Sequence, residues 1–350
     1  MNKNFYKNKR VLVTGHTGFK GAWLVKLLLS IEADVYGYAL EAEKKSLYNL
    51  LNLDNKITSY IGDIRDYKYL SKVINKVKPD IVFHLAAQPL VKVGYDEPRD
   101  TYEVNMMGTA NLLECLRLND NVKSIVVITT DKVYDTTNYK VYKEDDRLNG
   151  YDPYANSKSC AELISETYRR CYFEDKKVAL STVRSGNVIG GGDFGKYRIV
   201  PDIQSAFLHN KKLILRNPNS IRPYQHVLEA LSFYLELAQK QYSKHSLASS
   251  YNVGPNPKDS IETINLVQLF NKALQEHNLK DIDFEYSDNH SFKETEYLKI
   301  NSSKIKRIFN YKPKWSIEDA VREVVEFSIA YKKKKDLNEY IDNVIKEYLK

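Results

Sequence analysis

The chain has 350 residues, 43% hydrophobic and 28% charged, the balance of a globular protein that buries a sizeable core and has length enough for two lobes around one cleft. Its 53 basic and 45 acidic residues leave a formal charge of +8, with the two signs intermixed. Such a surface favours small anions but forms no nucleic-acid stripe. Cys115, Cys160 and Cys171 make neither a short-spaced metal or redox motif nor an even disulfide framework. No apolar run reaches membrane-spanning length, and the opening MNKNFYKNKR lacks a signal stretch, which points to the cytoplasm.

In chain order, residues 10–14 (RVLVT) read as a short apolar strand, followed by GHTGFKG and an amphipathic helix over 22–30. Gly15, Gly18 and Gly21 allow a tight turn, a close approach of backbone to a pyrophosphate, and close helix–strand packing. The helix N-terminus adds N–H groups and a positive dipole end. Lys20 precedes Gly21 and is not followed by Ser or Thr, so the motif does not fit a P-loop. The second strand, 34–40 (DVYGYAL), ends without an acidic residue or an arginine. Glu41 and Glu43 come late, and Lys44 and Lys45 are the nearest bases, so NAD and NADP both stay open there, with NAD favoured. Asp63, at the next strand end, can accept from an adenine amino group or be a solvated loop aspartate. Residues 81–87 (IVFHLAA) read as a buried parallel strand ending in small residues. His84 within it reads as packed and hydrogen-bonded rather than catalytic.

Residues 124–129 (SIVVIT) form another strand, and Thr130, Asp131 and Lys132 follow its carboxyl edge, where open α/β sheets place their chemistry. A helix over 154–173 carries Tyr154 and Lys158 four residues apart, on one face. Oxidation of a carbinol needs a base for the hydroxyl proton, the task assigned to Tyr154. Lys158 would lower the phenol pKa by its charge and could hold a cofactor ribose, while Thr130 shares a hydrogen bond with the reacting hydroxyl. In a chain with 27 tyrosines such spacing arises often by chance; its place after four strand–helix units and a glycine turn gives it weight. Asp131 and Lys132 ask for more than oxidation. One could protonate a leaving hydroxyl while the other handles a carbon-bound proton acidified by a ketone; the alternative is a polar loop pair. The stretch RSGNVIGGG at 184–192 looks flexible enough to wrap a ligand. Arg216 and Arg222 offer two guanidinium forks for a diphosphate, or cap a surface ion network.

Six stretches carry a specific likeness: GHTGFKGAWL at 15–24, HLAAQPLV at 84–91, TDKVYD at 130–135, YDPYANSKSCAEL at 151–163, RSGNVIGGGDF at 184–194 and RPYQHVLEAL at 222–231. With them the sequence resembles the CDP-glucose 4,6-dehydratases of the extended short-chain dehydrogenase/reductase superfamily, from about residue 9 to 235 and more weakly near 311–315. The resemblance implies a tightly retained NAD and three stages. Tyr154 deprotonates the sugar 4-hydroxyl as C4 is oxidised. The C5 proton is then lost while Asp131 protonates the departing 6-hydroxyl. Finally C6 is reduced and C5 reprotonated. Lys132 is then the C5 base, which requires a largely neutral amine, or the cation that stabilises the enolate. The resemblance implies cofactor contacts from Gly15, Thr17, Gly18, Phe19, Lys20, Gly21, Asp63, Ile64, Leu85, Ala86, Ala87 and Thr129 besides Tyr154 and Lys158. Substrate contacts would come from Gln88, Asn187, Arg198, Arg216, Arg222 and His226. It implies a nucleotide-sugar substrate and a homodimer through helices 98–118 and 154–173, with no metal, nucleic-acid or membrane partner.

Three positions depart from the family pattern: Gly94 in place of a small hydroxyl residue, Tyr224 in place of Trp, and the loosely matching stretch 290–304. The expected fold is an α/β, Rossmann-type doubly wound parallel sheet with a smaller, mostly C-terminal α/β substrate-binding lobe. Its dinucleotide domain spans 1–185, rejoined by about 223–254; residues 186–222 and 255–350 form the sugar-nucleotide lobe. The charged helical tail, with its KKKKD run, reads as solvated surface. A 4-epimerase or reductase would use Tyr154 and Lys158 without needing Asp131 and Lys132. A non-catalytic nucleotide-binding regulator would need none of the four.

Overall fold

The computed structural model describes residues 2–137, 140–287 and 297–350. Its first half alternates strands and helices: β1 (Arg10–Thr14), α1 (Phe19–Leu29), β2 (Asp34–Ala39), α2 (Leu47–Leu50), β3 (Thr58–Ile61), α3 (Tyr67–Val77) and β4 (Ile81–His84). There follow α4 (Val91–Asp96), α5 (Pro98–Tyr102), α6 (Gly108–Arg117), β5 (Ser124–Ile128), β6 (Val141–Tyr142), α7 (Pro153–Tyr168) and β7 (Ala179–Ser185). The second half contains β8 (Asn187–Ile189), α8 (Ile199–His209), β9 (Leu213–Leu215), β10 (Ile221–His226), α9 (Val227–Ser243), β11 (Ser250–Val253), β12 (Ser260–Glu262) and α10 (Thr263–Glu276). It closes with β13 (Phe284–Tyr286), β14 (Lys299–Ile300), α11 (Ser303–Phe309), α12 (Ile317–Lys332) and α13 (Leu337–Tyr348).

Seven parallel strands make one sheet in the order β11-β7-β5-β4-β1-β2-β3. The order reverses between β1 and β4, which opens a crevice at their carboxyl ends. Both faces are covered, so the central strands are apolar on both sides. In β1, Val11 and Val13 enter the core with Trp23, Leu24 and Leu231 of α1 and α9, whereas Leu12 joins Leu70, Leu112 and Leu116 of α3 and α6 on the other face. Each such side chain contributes about 1.5–3 kcal/mol by burial.

A smaller α/β lobe lies beyond. It is built on the three-stranded sheet β12-β10-β8 and the pair β13-β9, with a core of Ile203, Leu266, Phe270 and Val324 from α8, α10 and α12.

Several boundaries differ from the sequence expectation. Helix α1 begins at Phe19, so Lys20 and Gly21 lie inside its first turn. The strand expected to reach residue 87 ends at His84. Each expected long helix ends or breaks in a π-turn, over Glu103–Met107 and Arg169–Phe173. Of the loosely matching stretch 290–304, residues 290–296 lie outside the described residues; Lys299–Ile300 pair with Val141–Tyr142.

Candidate active site

The glycine turn meets the demands of a dinucleotide pyrophosphate. Gly15 has φ +73°, and a Cβ there would lie 2.7 Å from the Ala86 nitrogen. A Cβ on Gly21 would lie 2.1 Å from the Gly15 carbonyl oxygen. Only glycine permits that closeness. Gly18 caps α1 with no side-chain hydrogen bond, so the first N–H groups of an eleven-residue helix remain for a phosphate. Thr17 donates to the Leu40 carbonyl at 3.0 Å and ties the turn to the end of β2. Phe19 packs on the core and Ala86 donates its N–H to Thr14 at 3.2 Å. At the end of β3, both Asp63 carboxylate oxygens bind Arg65, at 2.6–3.1 Å, and Ile64 is buried behind it.

Beside this turn lies a cleft of about 290 Å³. Thr129, Thr130, Asp131, Lys132 and Tyr154 line its floor, while Asn187, Arg198, Arg216 and Arg222 come from the other side. Two short structures set the floor. Helix α7 starts on Asp152, whose carboxylate accepts from the Ala155 N–H at 2.9 Å, with Pro153 in the first turn; this fixes Tyr154 at the helix mouth. Past β5, the Thr130 hydroxyl accepts from the Lys132 N–H at 3.3 Å and donates to Asp131 Oδ1 at 3.1 Å, folding the chain sharply enough to present both neighbours.

Burial governs the electrostatics. It pushes the Asp131 carboxyl up to about 6, against the positive charge of Lys132, the Thr130 hydrogen bond, and the charges of Arg222 and Lys20. Asp131 Oδ2 is buried and has no hydrogen-bond partner among the described residues. Burial also raises Tyr154, opposite to the direction expected from Lys158; a hydrogen bond to Thr130 and the charge of Arg198 pull the phenol back towards ionisation. Lys158 stands behind the floor, its Nζ donating to the Ile128 carbonyl at 3.3 Å. Burial, with repulsion from Lys20, lowers its pKa to about 8.

Two expected substrate residues are not brought to the cleft. The His226 ring is fully buried. It caps α9 through Nδ1, lies 3.1 Å from Glu323 Oε2, and packs edge-on to Trp23. Gln88 closes its own turn, donating to Thr101 at 2.9 Å and accepting from the Leu90 N–H at 2.6 Å. A buried polar group must find partners, and these found them within the chain. The stretch RSGNVIGGG is packed rather than flexible. A Cβ on Gly186 would meet Pro223 at 2.7 Å and one on Gly191 would meet Phe327 at 2.2 Å, so these glycines serve close approach. His84 is packed as read, bound to Thr14 and Thr109 at 2.7 and 3.0 Å. The Lys20 backbone stays at the helix mouth while its ammonium crosses to Ser185, 3.1 Å away.

Sequence reasoning missed Ser185 and Thr263, which line the cleft, and a buried network behind it. Glu162 accepts from Thr129, from Thr182 at 2.7 Å and from Arg184 at 2.8 Å; Arg184 continues to the Tyr134 hydroxyl at 3.0 Å. No local pattern signals that pair. Of the departures, Tyr224 is buried in the cleft wall, its hydroxyl 3.4 Å from Thr263. Gly94 lies against Tyr154: a Cβ there would be 3.0 Å from the tyrosine nitrogen.

The family model described as GDP-mannose 4,6-dehydratase matches residues 12–324. The chain belongs to this dehydratase family. Within it, the chain is 41% identical over 345 residues to the CDP-glucose 4,6-dehydratase of Salmonella typhimurium, covering 96% of this chain and 95% of that one. A CDP-paratose 2-epimerase from Salmonella typhi is 27% identical over 91% of this chain and 99% of its own. Among solved structures, the Bacillus anthracis dTDP-glucose 4,6-dehydratase in complex with NAD shares the fold, with a TM-score of 0.75 at 22% identity over 94% of this chain and 99% of that one. Pal from Bacillus thuringiensis gives 0.76 at 27%, over 92% and 99%. Among the described residues no helix is long and apolar enough to cross a membrane.

Proposed function

We propose that this protein converts CDP-glucose to CDP-4-keto-6-deoxyglucose and water, with NAD as its recycled cofactor. The observation that carries the reading is the single cleft that joins Thr130, Asp131, Lys132 and Tyr154 to three arginines facing them. The 41%-identical CDP-glucose 4,6-dehydratase supports the substrate. Solved relatives bound to NAD, and a glycine turn that fits a pyrophosphate, support the cofactor. Lys45, a base beyond β2, lies over the rings of Phe194 and Tyr331, which favours NAD over a 2′-phosphorylated cofactor.

The chemistry a bound NAD supplies is reversible oxidation of the sugar, out at C4 and back at C6. Tyr154 takes the 4-hydroxyl proton; burial raises its phenol, and Thr130 and Arg198 offset part of that rise. Lys158, one turn on, orients the cofactor side and keeps positive charge near the phenol. Asp131, with a pKa near 6 and a free Oδ2, gives its proton to the departing 6-hydroxyl. Lys132 serves the C5 side of the same sugar. Arg198, Arg216 and Arg222 hold the diphosphate. Burial of the acid matters because it raises the fraction that carries a proton near neutrality, which an exposed carboxyl at its ordinary pKa would scarcely do.

We also infer that residues 1–185 and 223–254 form the dinucleotide lobe, because β11 and α9 pack on the main sheet, and that residues 186–222 and 255–350 form the other. A cytoplasmic homodimer through the helical stretches 98–118 and 154–173, where Met107, Leu118 and Leu163 are exposed, completes the reading. Sedimentation of the purified chain reads its state.

The decisive experiment incubates the protein with CDP-glucose, dTDP-glucose, UDP-glucose or GDP-mannose, with and without NAD, and follows loss of one water by mass spectrometry. Loss from CDP-glucose alone is the expected result. Loss from another donor moves the specificity and keeps the chemistry. Inversion at C4 without loss of water overturns the assignment of Asp131 and Lys132.

A further inference from the structure

Strands β5 and β7 are neighbours in register, with Ile128 opposite Val183. Two residues further on, Thr130 follows the end of β5 and Ser185 ends β7, still paired with Val253 of β11. The Ser185 hydroxyl is held from behind by the buried Tyr234, whose OH donates to it at 3.0 Å, and receives the Lys20 ammonium at 3.1 Å. Lys20 arrives from the first turn of α1 and lines the same cleft as Asp131.

We propose that Lys20 is a positioning residue for the dehydration: pinned on Ser185, its ammonium is a fixed positive charge in the cleft of Asp131 that helps set how readily this carboxyl gives up its proton. The proposal rests on the reading of Asp131 as the acid of the elimination step. The motif residue is thereby given a task beyond the phosphate turn, since its backbone serves the helix mouth and its side chain the acid.

The charges around Asp131 come from every side. Lys132 and Thr130 belong to its own turn, Arg222 comes from β10 and Lys20 from α1, and Tyr154 of α7 feels its charge. Arg198 and Lys158 face Lys20 in turn. The coupling is reciprocal: Asp131 raises Lys20, while burial first and Arg198 after it bring the amine down to about 8. At neutral pH the amine is thus still mainly charged, and it favours ionised Asp131. Removing that charge raises the Asp131 pKa above about 6, so the protonated form persists to higher pH.

The test uses the full-length, NAD-loaded protein and the variants Lys20→Met, Lys20→Arg and Ser185→Ala. Infrared difference spectra, with Asp131→Asn as the subtraction control, titrate the Asp131 carboxylic acid band directly. The pH dependence of water loss from CDP-glucose is measured beside them. Lys20→Met should move the Asp131 titration, and the pH above which turnover falls, upward by about half a unit to one unit. Lys20→Arg should restore the wild-type profile, and Ser185→Ala, which frees the ammonium, should give an intermediate shift. The same Asp131 titration in wild type and Lys20→Met overturns the proposal, as does a change confined to NAD retention. Should Lys20→Met fail to fold, an unshifted band in Ser185→Ala overturns it equally. The infrared titration needs no substrate, so failure of CDP-glucose turnover would refute the functional reading and leave this result legible.

Discussion

Replacing Glu162 by Gln probes the network behind the site. Glu162 and Arg184 are 2% and 3% exposed, and their ion pair spans 2.8 Å. Burial alone would raise the Glu162 pKa. The Arg184 charge, with hydrogen bonds from Arg184, Thr129 and Thr182, outweighs it and leaves the pKa below its ordinary value. The variant keeps the shape but strands a guanidinium with no counter-charge, a loss of about 3–5 kcal/mol when a buried pair is broken. Its amide can still accept from a threonine, so about 4 kcal/mol is expected. At an m-value of about 3 kcal/mol/M, that lowers the urea midpoint by about 1.3 M. Because the folded pKa is depressed, the carboxylate's contribution is present above the unfolded pKa and lost as pH falls through the folded one. The gap between wild type and variant should therefore be constant near neutrality and shrink in acid. Unfolding followed by fluorescence at several pH values measures it. The double variant Glu162→Leu/Arg184→Met should be more stable than the sum of its single changes implies. A loss below about 1 kcal/mol, or strict additivity in the double variant, would refute the reasoning.

Two further substitutions test the floor of the cleft. Tyr154→Phe removes the phenol that bonds Thr130 and should lower kcat for water loss by about 10²–10⁴; wild-type turnover would end the assignment of the base. Gly94→Ser adds a Cβ 3.0 Å from the Tyr154 nitrogen and 3.2 Å from its Cβ, so the helix mouth must yield by a few tenths of an ångström. A fall in kcat of about 3–10-fold with little change in KM is expected, and an unchanged kcat would show that α7 shifts freely.

What the sequence reveals here depends on whether the determining partners are local. Arg10–Thr14 and Ser250–Val253 were legible to the residue because each is a short run stopped by a glycine, and both enter the parallel sheet. His84 was legible as packed because it sits in the middle of such a run. The start of α1 was not, because turn and helix share the same glycines: Gly21 serves close packing from inside the helix. The π-turns at Glu103–Met107 and Arg169–Phe173 leave no break in the polar–apolar pattern. His226 and Gln88 are polar residues beside a cleft, and nothing in their neighbourhood announces that Glu323 and Thr101 will satisfy them. The Glu162–Arg184 pair joins a helix to a strand, a meeting only the sheet order creates.

Asp131, the carboxyl proposed as the acid, shows why that distinction matters for function. Sequence displays one neighbour of Asp131, the adjacent Lys132, and from it alone the carboxyl would be judged a strongly ionised surface group. Burial acts in the opposite direction and is the largest of the influences on the group. A proton donor that must also be regenerated works best with a pKa near the working pH. The structure reaches it by opposition: a nearly closed site raises the pKa, and cations delivered from α1 and β10 as well as from the same turn bring it back to about 6. Because burial and the cations act in opposite directions, the result depends on residues from several elements. The residues that tune the chemistry are therefore as distributed as the fold that assembles them.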